Sequence, residues 1–479
     1  MNYSMIRFIL GNVLKFEGAF LLLPAIVGLI YGEPSGWHFF VTALVCAGVG
    51  FAMTAKKPTE MMLYTREGFV SVALSWLVMS VFGAIPMTTC GDIPFYIDSL
   101  FETISGFTTT GASICPDVEA LTHPTLFWRS FTHWIGGMGV FVFIMAILPM
   151  LGGSNMNLMK AESPGPSVSK LVPHVKDTAK LLYGMYLGLT IIEALLLFFF
   201  GMPVFDSITL TFGTVGTGGF GVLGDSLASY SPALQWIVTV FMILSGVNYT
   251  VYFLLLVRRG KDIFKIEEVR WYLLLILLAA GLITINVRGF YDTLEETLRH
   301  AFFQVASIIT TTGYATTDFD LWPEMSKTIL VLLMFVGACA GSTGGGMKVS
   351  RFVILFKTIR KELSLIIHPR EIKKIRMDNR AVEHEVVRST NVYLAIYFVL
   401  LLLSVLLISV DEFSFTTNFT AVAATLNNIG PGLDKVGPTA NFAAFSVSSK
   451  LVLMFDMLAG RLELFPVMIL LLPDTWKRD

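Results

Sequence analysis

Four segments of this chain are too short and too mixed to cross a bilayer, yet too apolar for ordinary loops: 98–113 (DSLFETISGFTTTGAS), 205–221 (FDSITLTFGTVGTGGFG), 298–317 (LRHAFFQVASIITTTGYATT) and 415–432 (FTTNFTAVAATLNNIGPG). Each has a half-length helical pattern that ends in a Thr/Gly-rich or Asn/Gly-rich tip. Aligning Gly111, Gly219, Gly313 and Gly430 exposes an internal repeat. A long apolar stretch starts 38 to 42 residues before each of these glycines, and another starts 13 to 19 residues after it. The repeating unit is therefore a helix, a short re-entrant helix, a glycine tip and a second helix.

The long stretches lie near 8–31, 37–55, 69–88, 126–149, 181–201, 232–257, 272–288, 328–357, 391–410 and 449–472. They predict an all-α polytopic membrane protein with ten transmembrane helices and four re-entrant pore loops. Residues 1–68 form an extra N-terminal helix pair. The four repeats occupy 69–150, 180–257, 271–357 and 390–479, and a basic cytoplasmic segment, 358–389, precedes the last. The first stretch is the weakest, because Lys15 and Glu17 interrupt it. It reads as a retained span, since no small-residue cleavage site follows it.

Composition agrees: 54% of the residues are hydrophobic and 14% charged, against roughly 25% charged in a soluble domain. Such a chain cannot cover a soluble surface without large apolar patches. An ordinary soluble enzyme, a disordered chain and a nucleic-acid binder are excluded, the last for want of a basic excess. With the N-terminus inside, the inner segments carry 24 Lys and Arg and the outer segments six, so both termini are expected in the cytoplasm. Acidic residues such as Asp117, Glu119, Asp318, Asp320 and Glu324 follow the tips on the outer side. The cysteines Cys46, Cys90, Cys115 and Cys339 have no CxxC spacing, which leaves only a Cys90–Cys115 disulfide open.

Non-helical backbone survives at membrane depth only where protein buries it or where it lines a watery cavity. Four re-entrant segments meet that condition together if they converge on one axis. Each short helix then aims a C-terminal end, worth roughly half a negative charge, at the centre. The tips offer backbone carbonyls that replace the hydration shell of a weakly hydrated monovalent cation.

TTTGAS at Gly111, TTTGYATT at Gly313, GSTGGGMKVSR at 341–351 and AGRLELFP at 459–466 resemble the Trk/Ktr/HKT superfamily of potassium transport subunits. The extra N-terminal pair is similar to that of the bacterial TrkH type, and the likeness covers nearly the whole chain. The resemblance implies potassium (K+) as the transported ion and a pseudo-fourfold filter at Thr110, Gly111, Gly218, Gly219, Thr312, Gly313, Ile429 and Gly430. It implies a multi-pass subunit of the bacterial inner membrane, homodimeric and docked on a cytosolic, TrkA-like nucleotide-binding ring. Sodium-preferring plant relatives carry serine at the first tip, so glycine at all four implies potassium. The second tip (TGGF) and the fourth (NNIGPG) depart from TTTG.

GACAGSTGGGMK at 337–348 interrupts the eighth stretch, and its glycines cannot hold a helix. By resemblance Gly341, Ser342, Thr343, Gly344, Gly345 and Gly346 form a gating loop beneath the filter. Arg461 lies mid-stretch in LVLMFDMLAGRLELFPVMILLL, where a cation costs about 2.5–3.5 kcal/mol to insert. Glu463 and Asp456 are misaligned with it for a same-helix pair. It is expected to project towards the loop and oppose cation passage. Glu193 is read as a buried, hydrogen-bonded carboxyl or a proton-coupling group. Gly136, Gly137 and Gly139 are read as small-residue helix packing.

The GxGxxG match at Gly216–Gly221 follows a half-helix and opens none, so no dinucleotide site is expected. Gly341–Lys348 misses a phosphate loop by one inserted methionine. The seven histidines show no metal-ligand spacing, and His384 reads as solvated. An ion-coupled symporter built on inverted repeats and a membrane-embedded enzyme are the alternatives. The first is disfavoured by the parallel repeats, and the second by the lack of a convergent catalytic set.

Overall fold

The computed structural model describes residues 1–58, 64–137, 139, 175–371 and 373–477. The distal half of the 126–149 stretch, most of the inner segment 151–180 and residues 59–63 lie outside the described residues.

The described residues are mostly helical. Helices α1 (Tyr3–Tyr31) and α2 (Ser35–Thr54) form an antiparallel hairpin. Asn2 caps α1 by accepting from the Met5 N–H at 3.1 Å. The hairpin turns at Gly32, whose φ of 70° is left-handed. Lys15 and Glu17 do not interrupt α1: the Lys15 ammonium sits 4.4 Å from the Phe51 ring centroid, and Glu17 is buried.

The first unit comprises α3 (Thr65–Thr89), α4 (Tyr96–Phe107) and α5 (His123–Gly137). The second holds α6 (Val175–Phe199), α7 (Val204–Gly216), α8 (Pro232–Ser245) and α9 (Thr250–Leu256). The third holds α10 (Glu267–Val287), α11 (Leu294–Ile309), α12 (Glu324–Val336) and α13 (Val349–Ile367). The fourth holds α14 (His384–Ile408), α15 (Phe415–Leu426), α16 (Val447–Arg461) and α17 (Phe465–Leu471). A small hairpin of β1 (Arg376–Met377) and β2 (Arg380–Ala381) lies between α13 and α14.

Among the described residues six helices are long and apolar enough to cross a membrane, and α8 with α9 forms a further candidate bent by 97°. The stretch 232–257 is therefore not one continuous helix, contrary to its apolar run. Hydropathy is blind to this bend, because the turn formers Gly246 and Asn248 are flanked by apolar residues. The stretch 449–472 also breaks, at Leu462–Leu464, where Glu463 and Leu464 take positive φ. The break after α12 falls at Gly337, inside the glycine-rich run as expected.

Three of the six basic residues expected outside are themselves buried on helices and do not lie in solvated loops. Arg129 on α5 pairs with Glu102 at 2.7 Å, Lys450 on α16 pairs with Asp98 at 2.7 Å, and Arg299 on α11 reaches Glu295 at 3.1 Å. All four cysteines are free thiols. His384 is exposed.

Candidate functional site

The four short helices α4, α7, α11 and α15 end in the same way. A residue with φ between 54° and 60° follows each one: Thr109, Thr217, Thr311 and Asn428. The next amide bonds back five residues: Thr110 to Ser105 (2.8 Å), Gly218 to Gly213 (2.7 Å), Thr312 to Ser307 (2.9 Å) and Ile429 to Ala424 (2.8 Å). The left-handed residue itself bonds back three, as Thr109 does to Gly106 at 3.0 Å. This is the Schellman pattern, which satisfies the last carbonyls of a helix. One residue further, Gly111, Gly219, Gly313 and Gly430 again take positive φ, from 76° to 98°. The alternation of left-handed and ordinary residues is shared by all four tips.

The tips touch in a closed cycle. A methyl group at Gly111 would lie 2.0 Å from the Gly218 carbonyl oxygen, and one at Gly219 would lie 2.0 Å from that of Thr312. One at Gly313 would lie 2.0 Å from the Ile429 oxygen, and one at Gly430 would lie 2.8 Å from that of Thr110. All eight residues expected at the filter are thus brought together, each tip abutting the next. Only glycine permits both the positive φ and this approach.

Hydrogen bonds brace the ring. Thr108 pairs with Thr110 at 2.8 Å, and Thr310 pairs with Thr312 at 2.7 Å, hydroxyl to hydroxyl. Asn428 of the fourth tip donates to the Thr110 hydroxyl of the first at 3.0 Å, and to the Met457 carbonyl at 2.9 Å. The Tyr314 hydroxyl donates to the Leu210 carbonyl on α7 at 3.0 Å, locking the third unit to the second. Gly136 packs against the Phe107 carbonyl and Gly137 against Gly216, as the small-residue reading expects.

Two residues behind the ring carry no motif. His133 is fully buried on α5. The Phe220 amide donates to its Nε2 at 3.2 Å, so Nδ1 carries the proton and donates to the Gly106 carbonyl at 2.8 Å. Its ring fills the space that a side chain at Gly218 would need, which accounts for TGGF in place of TTTG. Glu102 accepts from Arg129, from the Ser113 hydroxyl (2.9 Å) and from the Ile114 amide (2.9 Å), fixing the strand beyond Gly111. A lone histidine and one acid in a mixed helix give no sequence signal; their roles appear only with tertiary contact.

Two cavities flank the ring. The outer one, about 120 Å³, is lined by Gly111, Gly219, Gly313 and Gly430 with Arg129 and Pro431. The inner one, about 50 Å³, is lined by Gly341–Gly346, Trp76, Tyr249, Lys348, Arg461 and Glu463. The loop 337–348 is pressed under the third and fourth tips. The Gly345 amide donates to the Thr311 hydroxyl at 2.6 Å. A methyl at Gly345 would lie 2.8 Å from the Asn427 carbonyl oxygen. The loop also docks on the α8–α9 bend, through Cys339 N–H to the Gly246 carbonyl (3.0 Å) and Tyr249 N–H to the Gly341 carbonyl (3.0 Å).

Arg461 does not lie mid-helix; it ends α16. The backbone breaks just after it, so the guanidinium reaches sideways across the inner cavity. It donates to the Thr343 carbonyl at 2.8 Å and to the Gly136 carbonyl, joining the fourth unit to the third and first. Lys348, 1% exposed, donates to the Gly344 and Gly345 carbonyls. Three successive loop carbonyls are therefore held by cationic side chains, Arg461 as expected near the loop and Lys348 in addition. Glu463 pairs with Arg351, which also stacks 3.9 Å over the Tyr393 ring. Asp456 accepts from Ser404 at 2.7 Å, and Glu193 is fully buried behind α7. Among the described residues no cluster of three or more His, Cys, Asp or Glu is set to hold a metal ion.

A family model described as TrkH, cation transport protein, matches residues 37–476. The chain is 37% identical over 487 residues to the Trk system potassium uptake protein TrkH of Salmonella typhimurium, covering 100% of both. It is 35% identical over 494 residues to the Trk system potassium uptake protein TrkG of Escherichia coli, again covering 100% of both. Its fold matches the crystal structure of the potassium transporter TrkH from Vibrio parahaemolyticus with a TM-score of 0.89, 33% identity and full coverage of both chains.

Proposed function

We propose the following function for this chain, which belongs to the TrkH family of cation transport proteins: it passes K+ across the bacterial inner membrane through the ring at Gly111, Gly219, Gly313 and Gly430. The observation that carries this reading is the closed cycle of four tips with one shared backbone conformation. Four tips alike in φ and in capping present their carbonyls to one axis, and the ends of α4, α7, α11 and α15 add negative potential there. A potassium ion exchanges its hydration shell for those oxygens at small cost, while sodium, more tightly hydrated, does not. In this reading ten spans surround the ring, both termini are cytoplasmic, and the membrane potential supplies about 2.3 kcal/mol per charge per 100 mV.

Below the ring, the loop 337–348 with Arg461 and Lys348 forms the gate. The two cations occupy carbonyls that a passing ion would otherwise use, and their charge repels it. Opening requires the loop to leave Thr311 and Arg461. The basic segment 358–389 docks a cytosolic nucleotide-binding ring, and two copies of the chain pair as a dimer. The relatives are named as parts of a Trk system, in keeping with such partners.

The test is rubidium and sodium flux into liposomes holding the purified chain, with an imposed potential and no proton gradient. Rubidium uptake that follows the potential and exceeds sodium uptake is expected. Uptake that requires a proton or sodium gradient would instead support a symporter. Arg461→Ala should raise flux several-fold, while unchanged or lower flux in folded protein would count against the gate.

A further inference from the structure

The ends of the loop 337–348 are held by one carboxylate. Glu268, the second residue of α10, is 3% exposed. Its Oε1 accepts from the Ala340 amide at 2.7 Å and from the Ser350 amide at 3.1 Å. Ala340 lies where the chain enters the glycine run, and Ser350 lies in the first turn of α13, where helix amides lack internal partners. A carboxylate there is favoured by the helix dipole as well as by its hydrogen bonds. A backbone bond from Val349 N–H to the Ala338 carbonyl, at 3.1 Å, closes the neck beside it.

The residue before Glu268 leads outward to the cytoplasmic hairpin. The Glu267 backbone amide donates to Asp378 Oδ1 at 2.7 Å, so a side chain from the hairpin caps the start of α10. The Glu267 carboxylate pairs with Lys357 on α13 at 2.6 Å, and Lys357 also donates to the Arg376 carbonyl at 2.7 Å. Asp378 and Asn379 are the central residues of the β1–β2 turn, with φ of 51° and 63°. That is the type I′ geometry, which fits the twist of a two-residue hairpin. The hairpin is therefore a defined lever, and around it Lys373, Lys374, Arg376 and Arg380 are exposed.

We propose that Glu268 is a positioning residue of the gate, and that it couples the loop ends to the basic hairpin through Glu267, Asp378 and Lys357. An acidic protein surface that binds the hairpin moves Asp378 off the start of α10. The first turn of α10 then shifts, and Oε1 of Glu268 loses one or both loop amides. This inference rests on the reading of 337–348 as a gate. It identifies which contact holds that gate to the cytoplasmic face.

The test is resting rubidium flux of the full chain in liposomes, without partner. Glu268→Ala should raise flux by about tenfold, since two amides lose a charged acceptor. Glu268→Gln, which keeps an oxygen acceptor, should give a smaller rise. Asp378→Ala alters an exposed residue and should also raise flux, and the double variant should be no leakier than Glu268→Ala alone. Wild-type flux in Glu268→Ala and Asp378→Ala, alongside raised flux in Arg461→Ala, would overturn the coupling and leave the gate standing. Wild-type flux in all three would overturn the gate reading itself. An Asp378→Ala effect that persists at full size in the Glu268→Ala background would show that the hairpin acts by another route.

Discussion

Thr109, Thr217 and Thr311 are β-branched residues held with positive φ, where a left-handed L-residue costs about 1–2 kcal/mol. Asn428 occupies the equivalent place in the fourth tip, and asparagine tolerates this conformation because its short polar side chain bonds locally. The NNIG departure from TTTG is thus a change of side chain at constant backbone. Thr311 repays its strain by accepting the Gly345 amide, whereas the Thr217 hydroxyl, among the described residues, bonds to the neighbouring Gly216 carbonyl. Thr217→Asn should therefore raise stability by about 1 kcal/mol, read as a higher midpoint of thermal unfolding in detergent. A lowered midpoint would contradict the strain assignment. The glycines of the tips were legible in the sequence because φ and close approach both demand that residue. His133 and Glu102 were not, since polar residues on the mixed helices α5 and α4 find their partners only once the units are folded together.

At the scale of elements, the half-length helices and the glycine break after α12 could be read from hydropathy and residue type. The bend between α8 and α9 and the break after Arg461 could not be read from hydropathy, because apolar residues flank Gly246, Asn248 and Glu463 on both sides. The second break matters most, since it turns Arg461 from a buried mid-helix cation into a side chain that spans the inner cavity. Lys348 is equally illegible in sequence: it closes a glycine run just before a helix, while its ammonium folds back on the loop. Lys348→Met keeps the length and removes the charge. It should free the Gly344 and Gly345 carbonyls and raise resting rubidium flux in liposomes; reduced flux from folded protein would contradict its part in closure. Beyond the fourth tip, Asp434 ties the chain to the start of α15, accepting from Ser414 at 2.5 Å and Thr417 at 2.6 Å. These bonds hold its carboxyl below the usual range. Its stabilisation is present above the ordinary carboxylate pKa and lost as pH falls through the lowered value. Amide exchange at 414–417 should accelerate on acidification in the native chain and be fast and pH-insensitive, after correction for intrinsic exchange, in Asp434→Ala. Equal protection in the two at neutral pH would refute the tie.

In the proposed reading the described helices form four versions of one unit around the ring, with α1 and α2 as an extra pair. The repeat was visible in the sequence as matched spacing to four glycines, but spacing alone could not say that the tips meet. Contact supplies that: each tip abuts the next, and the cycle closes from Gly430 back to Thr110. Charge follows the same plan, with acids such as Asp318, Asp320 and Asp434 beyond the tips and basic residues on the β1–β2 hairpin. The central claim is that the four tips act as one ring. Its most direct test is the rubidium-to-sodium flux ratio in liposomes for four single variants, Gly111→Ser, Gly219→Ser, Gly313→Ser and Gly430→Ser, each checked for monodispersity. A ring predicts that every one of the four lowers the ratio, because each serine crowds the neighbouring tip's carbonyl. A ratio left at the native value in any well-folded variant would contradict it.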